Sequence, residues 1–147
     1  MSADLNTVRR LVVADSGLVV LATTRKDNSV HASVVNAGVL EDPVTGQPVV
    51  GMVINGGARK LDHLRRTGRA TVVFRAGWQW ASVEGPARLL GPDDPAEDVA
   101  PERLAALYRE IFTSAGGTHE DFDTFDRVMA QERRVALLIT PAKISGN

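Results

Sequence analysis

Three short, β-branched apolar runs set the terms for this chain: Leu18 to Thr24, Val30 to Leu40 and Pro48 to Asn55 follow one another across gaps of turn length. Parallel neighbours need a crossover of about a dozen residues. Arg25–Ser29 and Glu41–Gln47 are too short for one. These strands therefore have to run antiparallel. Both gaps carry turn chemistry, Asp27-Asn28 in the first and Pro43 with Gly46 in the second. Pro48 to Asn55 is apolar almost throughout, which predicts burial on both faces. Ala70 to Arg75, Gln79 to Leu90 and Arg134 to Thr140 supply three more strands. Gly85-Pro86 marks a bulge or bend in the long one, and Pro141 closes the last.

Helical periodicity appears only between these runs. Leu5, Val8, Leu11 and Val12 share a face, predicting a short lid helix over Asp4 to Ala14 with Ser2 or Asp4 as its cap. Ala58 to Thr67 reads as a helix closed by Gly68. Pro101 fits the first position of a helix running to Phe112, and His119 to Gln131 forms another, with Phe122, Phe125 and Met129 inward. After the lid helix the order is βββ–α–ββ–αα–β. A doubly wound sheet would alternate strand and helix. The expected fold is therefore mainly β, a single domain over residues 1–147: an antiparallel β-barrel with peripheral helices, which also removes unpaired edges.

Composition narrows the chemistry. The chain has no cysteine, so thiolate catalysis, disulfides and cysteine-held metals are excluded. The net charge of −1 gives no global attraction to nucleic acid or an acidic membrane. The polar, mixed-charge start lacks a signal-peptide core, and no run is long enough to span a membrane, so a cytoplasmic location is expected. The three histidines, His31, His63 and His119, form no metal-binding spacing, and no nucleophile-elbow motif frames a serine. The basic residues are 14 Arg and 3 Lys, a bias that suggests a GC-rich genome.

The stretch NGGARKLDHLRRTGR, Asn55 to Arg69, carries the most chemistry. A buried strand ends in Gly56-Gly57 and opens a short helix with Arg59 and Lys60 in its first turn. Glycine permits close backbone approach, free N–H groups point out of a helix start, and the two cations supply full charge. This is an anion cradle, although a solvated surface helix would show the same residues. Nucleic acid is a poorer fit, because no aromatic ladder accompanies the cluster. Trp78 and Trp80 stand at i and i+2, one face of a strand, and could wall a planar ring or pack an interface.

Four collinear pieces, LVVLATTRKDNSVHASVV, GGARKLDHLRRTGRATVVF, WASVEGPARLL and RVALLITPAKISG, resemble the pyridoxamine 5′-phosphate oxidase-like split β-barrels over essentially the whole chain. Its short length and two helices before the last strand are similar to the actinobacterial F420-dependent flavin/deazaflavin oxidoreductases of that superfamily. The resemblance implies a homodimer with cofactor sites at the subunit interface. It implies coenzyme F420 as cofactor, with FMN as the alternative, and hydride transfer to a small organic substrate of enone, quinone or tetrapyrrole type. A pyridoxamine-phosphate-oxidase-type FMN enzyme or a non-catalytic cofactor carrier would need the same groove. Carried over residue by residue, Lys60 falls on the phosphate-binding lysine and Arg59 on a neighbouring arginine. Gly57 lies in the cradle. Val53, Ile54 and Asn55 face the ring or ribityl chain, Ser33, Val34 and Val35 run along the ring, and Trp78 and Trp80 match aromatic positions near the cofactor. His63 stands where the family often has asparagine, and Thr67-Gly68 where it often has Asp-Pro. No catalytic side chain and no metal ligand is implied.

Overall fold

The computed structural model describes residues 3–147. Helix α1 (Leu5–Ala14) is followed by strands β1 (Leu18–Thr24), β2 (Val30–Asn36), β3 (Gly38–Glu41) and β4 (Pro48–Ile54). Then come α2 (Lys60–Thr67), β5 (Arg69–Ala76) and β6 (Gln79–Leu90). A 3-10 turn (Pro101–Arg103) leads into α3 (Leu104–Ser114), α4 (Phe122–Gln131), β7 (Val135–Ile139) and β8 (Lys143–Gly146). Every pairing is antiparallel, in the order β2-β1-β5-β6-β7-β4-β3, with β8 also on β6.

The run Val30 to Leu40, expected as one strand, is two. It breaks at Ala37, which is fully buried and donates its N–H to Gly17 O at 2.8 Å. β2 continues one sheet and β3 begins the other, so the path of strands starts and ends on consecutive pieces of chain. The ring closes covalently at this point rather than through a ladder, which makes the barrel split. β6 crosses between the sheets in the opposite wall. Its first half pairs with β5 and β8 and its second half with β7. The bend falls at Gly85, where an added Cβ would lie 1.9 Å from Thr140 O.

β8 was not foreseen, because Pro141 breaks the ladder and no apolar run follows it. Pairing nevertheless resumes at once, with Ala142 N–H donating to Glu84 O at 2.9 Å. The Arg25–Ser29 hairpin forms as expected, with Asn28 taking the left-handed conformation at φ 71° that asparagine tolerates. For α1 the cap is Asp4, in a reciprocal pair with Thr7: Thr7 N–H donates to Asp4 Oδ1 at 3.0 Å and Asp4 N–H to Thr7 Oγ1 at 3.3 Å. Ser2, the other candidate cap, lies outside the described residues. α1 packs on β3, β5 and β6 through Val8, Leu11 and Val12, and α2 packs on β1 and β6 through Leu61 and Leu64.

Two apolar clusters result. One fills the barrel around Leu21, Met52, Phe74, Val83 and Leu137. The other lies outside the second sheet, where Leu107, Tyr108 and Ile111 of α3 and Phe125 of α4 meet Leu40, Val49 and Leu138. β4 and β7 are therefore covered on both faces, as the apolar Pro48–Asn55 run implied. The outer face of β1 and β2 has no such cover. Val30 and Val34 are 62% and 67% exposed, and Leu18 and Val20 lie beside them.

Candidate functional site

Strand alternation places His31, Ser33 and Val35 on one side of β2, half-buried, while their even-numbered neighbours are exposed. The start of α2 meets this row. Leu61 and Leu64 pull the helix into the barrel end. Lys60 is thereby held so that its Nζ donates to Ser33 Oγ at 2.8 Å. Burial pushes the Lys60 ammonium below the usual lysine range. One turn on, His63 Nδ1 bonds Thr23 Oγ1 at 2.9 Å, and its ring meets His31 edge-on at 5.7 Å. Arg25 Nη2 reaches His31 Nδ1 at 3.2 Å, and Arg66 donates to Thr24 O. Burial lowers the His31 pKa first, and the charges of Arg25, Lys60 and His63 lower it further.

Five basic residues elsewhere are paired with acids: Arg65 with Asp94, Arg88 with Asp98, Arg109 with Asp126, Arg133 with Asp93 and Arg134 with Glu132. Among the described residues, Arg25, Lys60 and Arg66 have no acidic partner within ion-pair distance. The N–H groups of Arg59 and Lys60 likewise find no acceptor among the described residues. Positive charge gathered without an ion-paired acid, next to free amides, is an arrangement that attracts anions.

Two residues along β2 from Ser33, Val35 opens into a cavity of about 600 Å³ between the strands and the α3–α4 pair. Val35 and Val53 line its strand side, and Phe112, Phe125, Val128 and Met129 its helix side. Two strand residues advance about 6.6 Å, on the order of the reach of a five-carbon polyol chain. The cationic end and the apolar cavity thus lie next to each other along β2.

The family of pyridoxamine 5′-phosphate oxidases has a sequence pattern that matches residues 7–146. The chain belongs to that family. An F420H2-dependent biliverdin reductase of Mycobacterium tuberculosis is 34% identical over 113 residues, 73% of this chain and 79% of that protein. A conserved hypothetical protein of Mycobacterium tuberculosis superposes with a TM-score of 0.69 at 18% identity, over 98% of this chain and 84% of its own. A pyridoxamine 5′-phosphate oxidase-related FMN-binding protein of Nostoc punctiforme gives 0.67 at 15%, over 97% and 80%. At such identities the two structures show the fold alone.

The other expected site residues of this pyridoxamine 5′-phosphate oxidase family member divide clearly. Val34 and Val35 line the cavity with Val53, whereas the Ile54 side chain is 3% exposed and belongs to the barrel core. Asn55 is committed internally: Gly57 N–H donates to its Oδ1 at 2.9 Å, and its Nδ2 donates to Glu132 Oε2 at 3.1 Å. The free amides of the cradle are therefore those of Arg59 and Lys60 rather than Gly57. Arg59 is exposed, precedes the first turn of α2 and does not share Lys60's contact with Ser33. Trp78 is not on a strand. It occupies the two-residue turn of the β5–β6 hairpin behind Gly77 at φ 60°, and it is 95% exposed. Trp80 pairs with Arg75 at the end of the sheet away from Arg69 and α2, so neither indole reaches the cradle within one chain.

Sequence reasoning passed over Thr23, Arg25, His31 and His63. Two signals were present. His31 shares the period-two face of Ser33 and Val35, and His63 stands three residues after Lys60 on the same helix face.

Proposed function

We propose that this chain is an F420H2-dependent reductase of small organic molecules, working as a homodimer. The observation that carries the reading is the pairing of Lys60 with Ser33 at 2.8 Å, beside cations without acidic partners and one strand step from an apolar cavity. Lys60, Ser33, Arg25, His31 and His63 would hold the anionic chain of a flavin-type cofactor, with the amides of Arg59 and Lys60. Val35 and Val53 would border its ring. Such a group supplies hydride chemistry; the residues bind, orient and exclude water. The deazaflavin is preferred over FMN because of the 34% identical reductase that uses F420H2. Reduction of a conjugated enone, quinone or tetrapyrrole fits an apolar cavity.

The exposed apolar face of β1 and β2 supports the homodimer, since a second copy would cover Leu18, Val20, Val30 and Val34. Trp78 and Trp80, remote from the cradle of their own chain, would reach a cofactor only across that contact. No helix of the described residues is long and apolar enough to cross a membrane. The test is anaerobic titration with F420 and separately with FMN, read by each cofactor's own fluorescence. F420 binding at micromolar concentration, with oxidation of F420H2 by an enone or quinone panel, is expected. FMN binding without F420 binding overturns the cofactor assignment, and binding without turnover by any acceptor leaves a carrier instead of an enzyme.

A further inference from the structure

The cavity beyond Val35 is walled mostly by apolar side chains, but its electrostatics are one-sided. Among the described residues that line it none is acidic, and the basic ones are Arg134 and, on the rim, His119. His119 Nδ1 accepts the N–H of Asp121 at 3.1 Å. The cradle cations Arg25, Lys60 and Arg66 do not line the cavity. Asn36, whose Nδ2 donates to Ser16 O at 3.2 Å, and the Ser16 hydroxyl are neutral and bond charged and uncharged oxygens alike.

Arg134 is fixed at both ends. Just before β7 its N–H donates to Met129 O at 3.0 Å, and its carbonyl accepts the Tyr108 hydroxyl at 2.6 Å. One edge of its guanidinium is also fixed, where Nε and Nη2 donate to Glu132 Oε2 at 3.1 and 2.7 Å. Glu132 accepts from Asn55 Nδ2 at 3.1 Å and stands outside the cavity lining. A guanidinium carries five N–H groups in a planar fork. The Glu132 edge uses two. Both hydrogens of Nη1 and one of Nη2 find no acceptor among the described residues. These form the end-on pair that can hold a carboxylate through two parallel bonds. The side chain is 26% exposed, so the pair is partly shielded from water. Its rotamer is already set by Glu132, so binding a ligand orders little more of the protein.

We propose that Arg134 makes this cavity a carboxylate-binding site: the free end of its guanidinium anchors flat apolar molecules that bear a carboxylate, whose rings lie against Val35, Phe112 and Phe125. Glu132 is the positioning residue. It takes the far edge of the guanidinium and leaves the near edge to the ligand. The inference rests on the reading of the cavity as the place where the reacting molecule lies, and it gives that molecule an acid group as well as a ring.

The probes are 2-naphthoate and its neutral isostere 2-naphthamide. Each is titrated by calorimetry into the purified chain without added cofactor, at pH 8, where an ordinary imidazole is neutral. The acid is expected to bind about 3- to 10-fold more tightly than the amide, the margin of a charged over a neutral hydrogen bond at a partly exposed site. The two should compete for one site. Arg134→Met combined with Glu132→Gln removes the ion pair without changing the net charge, and it should bring the two affinities within about twofold of each other. Equal losses for both probes would mean a packing role and overturn the proposal. So would a wild-type chain that binds neither probe or does not distinguish them. Bound acid that the amide cannot displace would lie in the cradle instead, and that too overturns it. The wild-type preference and the competition decide the matter even if the double variant does not fold. Failure here leaves the cradle's affinity for a cofactor untouched, and a chain that binds no flavin leaves a positive result here standing.

Discussion

Replacing Lys60 with methionine tests the cradle where its physical basis is most specific. The side chain is half-buried, its Nζ lies 2.8 Å from Ser33 Oγ, and burial already disfavours its charge. A full ion pair at 4 Å and an effective dielectric of 20 is worth about 4 kcal/mol, a ceiling for its contact with a bound phosphate. Net values for hydrogen bonds to charged groups run about 1.5–3 kcal/mol, which is roughly 10- to 150-fold in Kd. Stability should move the other way. Methionine retains the stem and removes a charge that folding desolvates, so Tm should hold or rise. There is a second consequence. Lys60 is one of the charges holding His31 below its ordinary pKa, so in Lys60→Met the imidazole ionises more readily and recovers part of the lost attraction in acid. The Kd ratio of variant to wild type should therefore be larger at pH 8 than at pH 6. Fluorescence titration with F420 or FMN at both pH values, beside thermal melts, reads all three effects. Arg59→Ala, at an exposed position, is the control and should change Kd by less than about threefold, since exposed charge contributes little. A Lys60→Met variant that binds at wild-type strength at pH 8, or that loses binding only together with its fold, refutes the reasoning.

Three further outcomes follow from the same geometry. His31 has a lowered pKa in the folded chain, so its neutral form is favoured by folding. That contribution is fully present above the ordinary value of 6.5 and is lost as pH falls through the lowered one. Melts of wild type and His31→Asn should converge above pH 7.5 and separate toward pH 5 with wild type losing more, and a constant gap would count against this. Gly56 and Gly57 should respond differently to alanine: a Cβ at Gly56 would lie 2.3 Å from Arg133 O, whereas one at Gly57 meets only Asn55 Oδ1 at 3.5 Å. Gly56→Ala should cost at least about 2 kcal/mol, in the manner of overpacking, and Gly57→Ala should be neutral or stabilise by about 0.5 kcal/mol through the unfolded chain; equal melting points for the two would be inconsistent with the turn described. Finally, Val34→Asp places a charge in the middle of the exposed β1–β2 face, and it should shift the chain to a monomer in sedimentation and abolish cofactor binding. A dimer that survives this change must use another surface.

Much of the barrel was readable because its cause is local. Turn-length gaps force antiparallel neighbours, and β-branched runs between them mark β1, β4 and β5 almost to the residue. The failures occur where the cause is tertiary. Nothing in VHASVVNAGVL announces a break, because Ala37 leaves β2 only to meet Gly17 O, a partner twenty residues away. β8 follows a proline and carries little apolar signal of its own. Its stability comes from the edge that β6 offers, which no local pattern records.

The site divides along the same line. Lys60 was legible as a cation at a helix start, and Arg59 beside it had equal claim from sequence. Packing separates them. Leu61 and Leu64 anchor α2 at one rotation, and that rotation turns Lys60 toward Ser33 and His63 toward Thr23 while leaving Arg59 exposed. The histidines were dismissed because no spacing joined them. They meet because His31 follows strand periodicity and His63 helix periodicity, and the barrel end brings the two periods together at 5.7 Å. The glycine pair was misread in a related way. Gly56 is required by the backbone of the α4–β7 turn rather than by a ligand, and that turn also carries Glu132, which holds both Asn55 and the cavity's Arg134. The cradle and the cavity wall are thus built on one hydrogen-bonded junction. A substitution at Glu132 should disturb anion binding and cavity binding together, although Glu132 itself lies outside both the cationic cluster and the cavity lining.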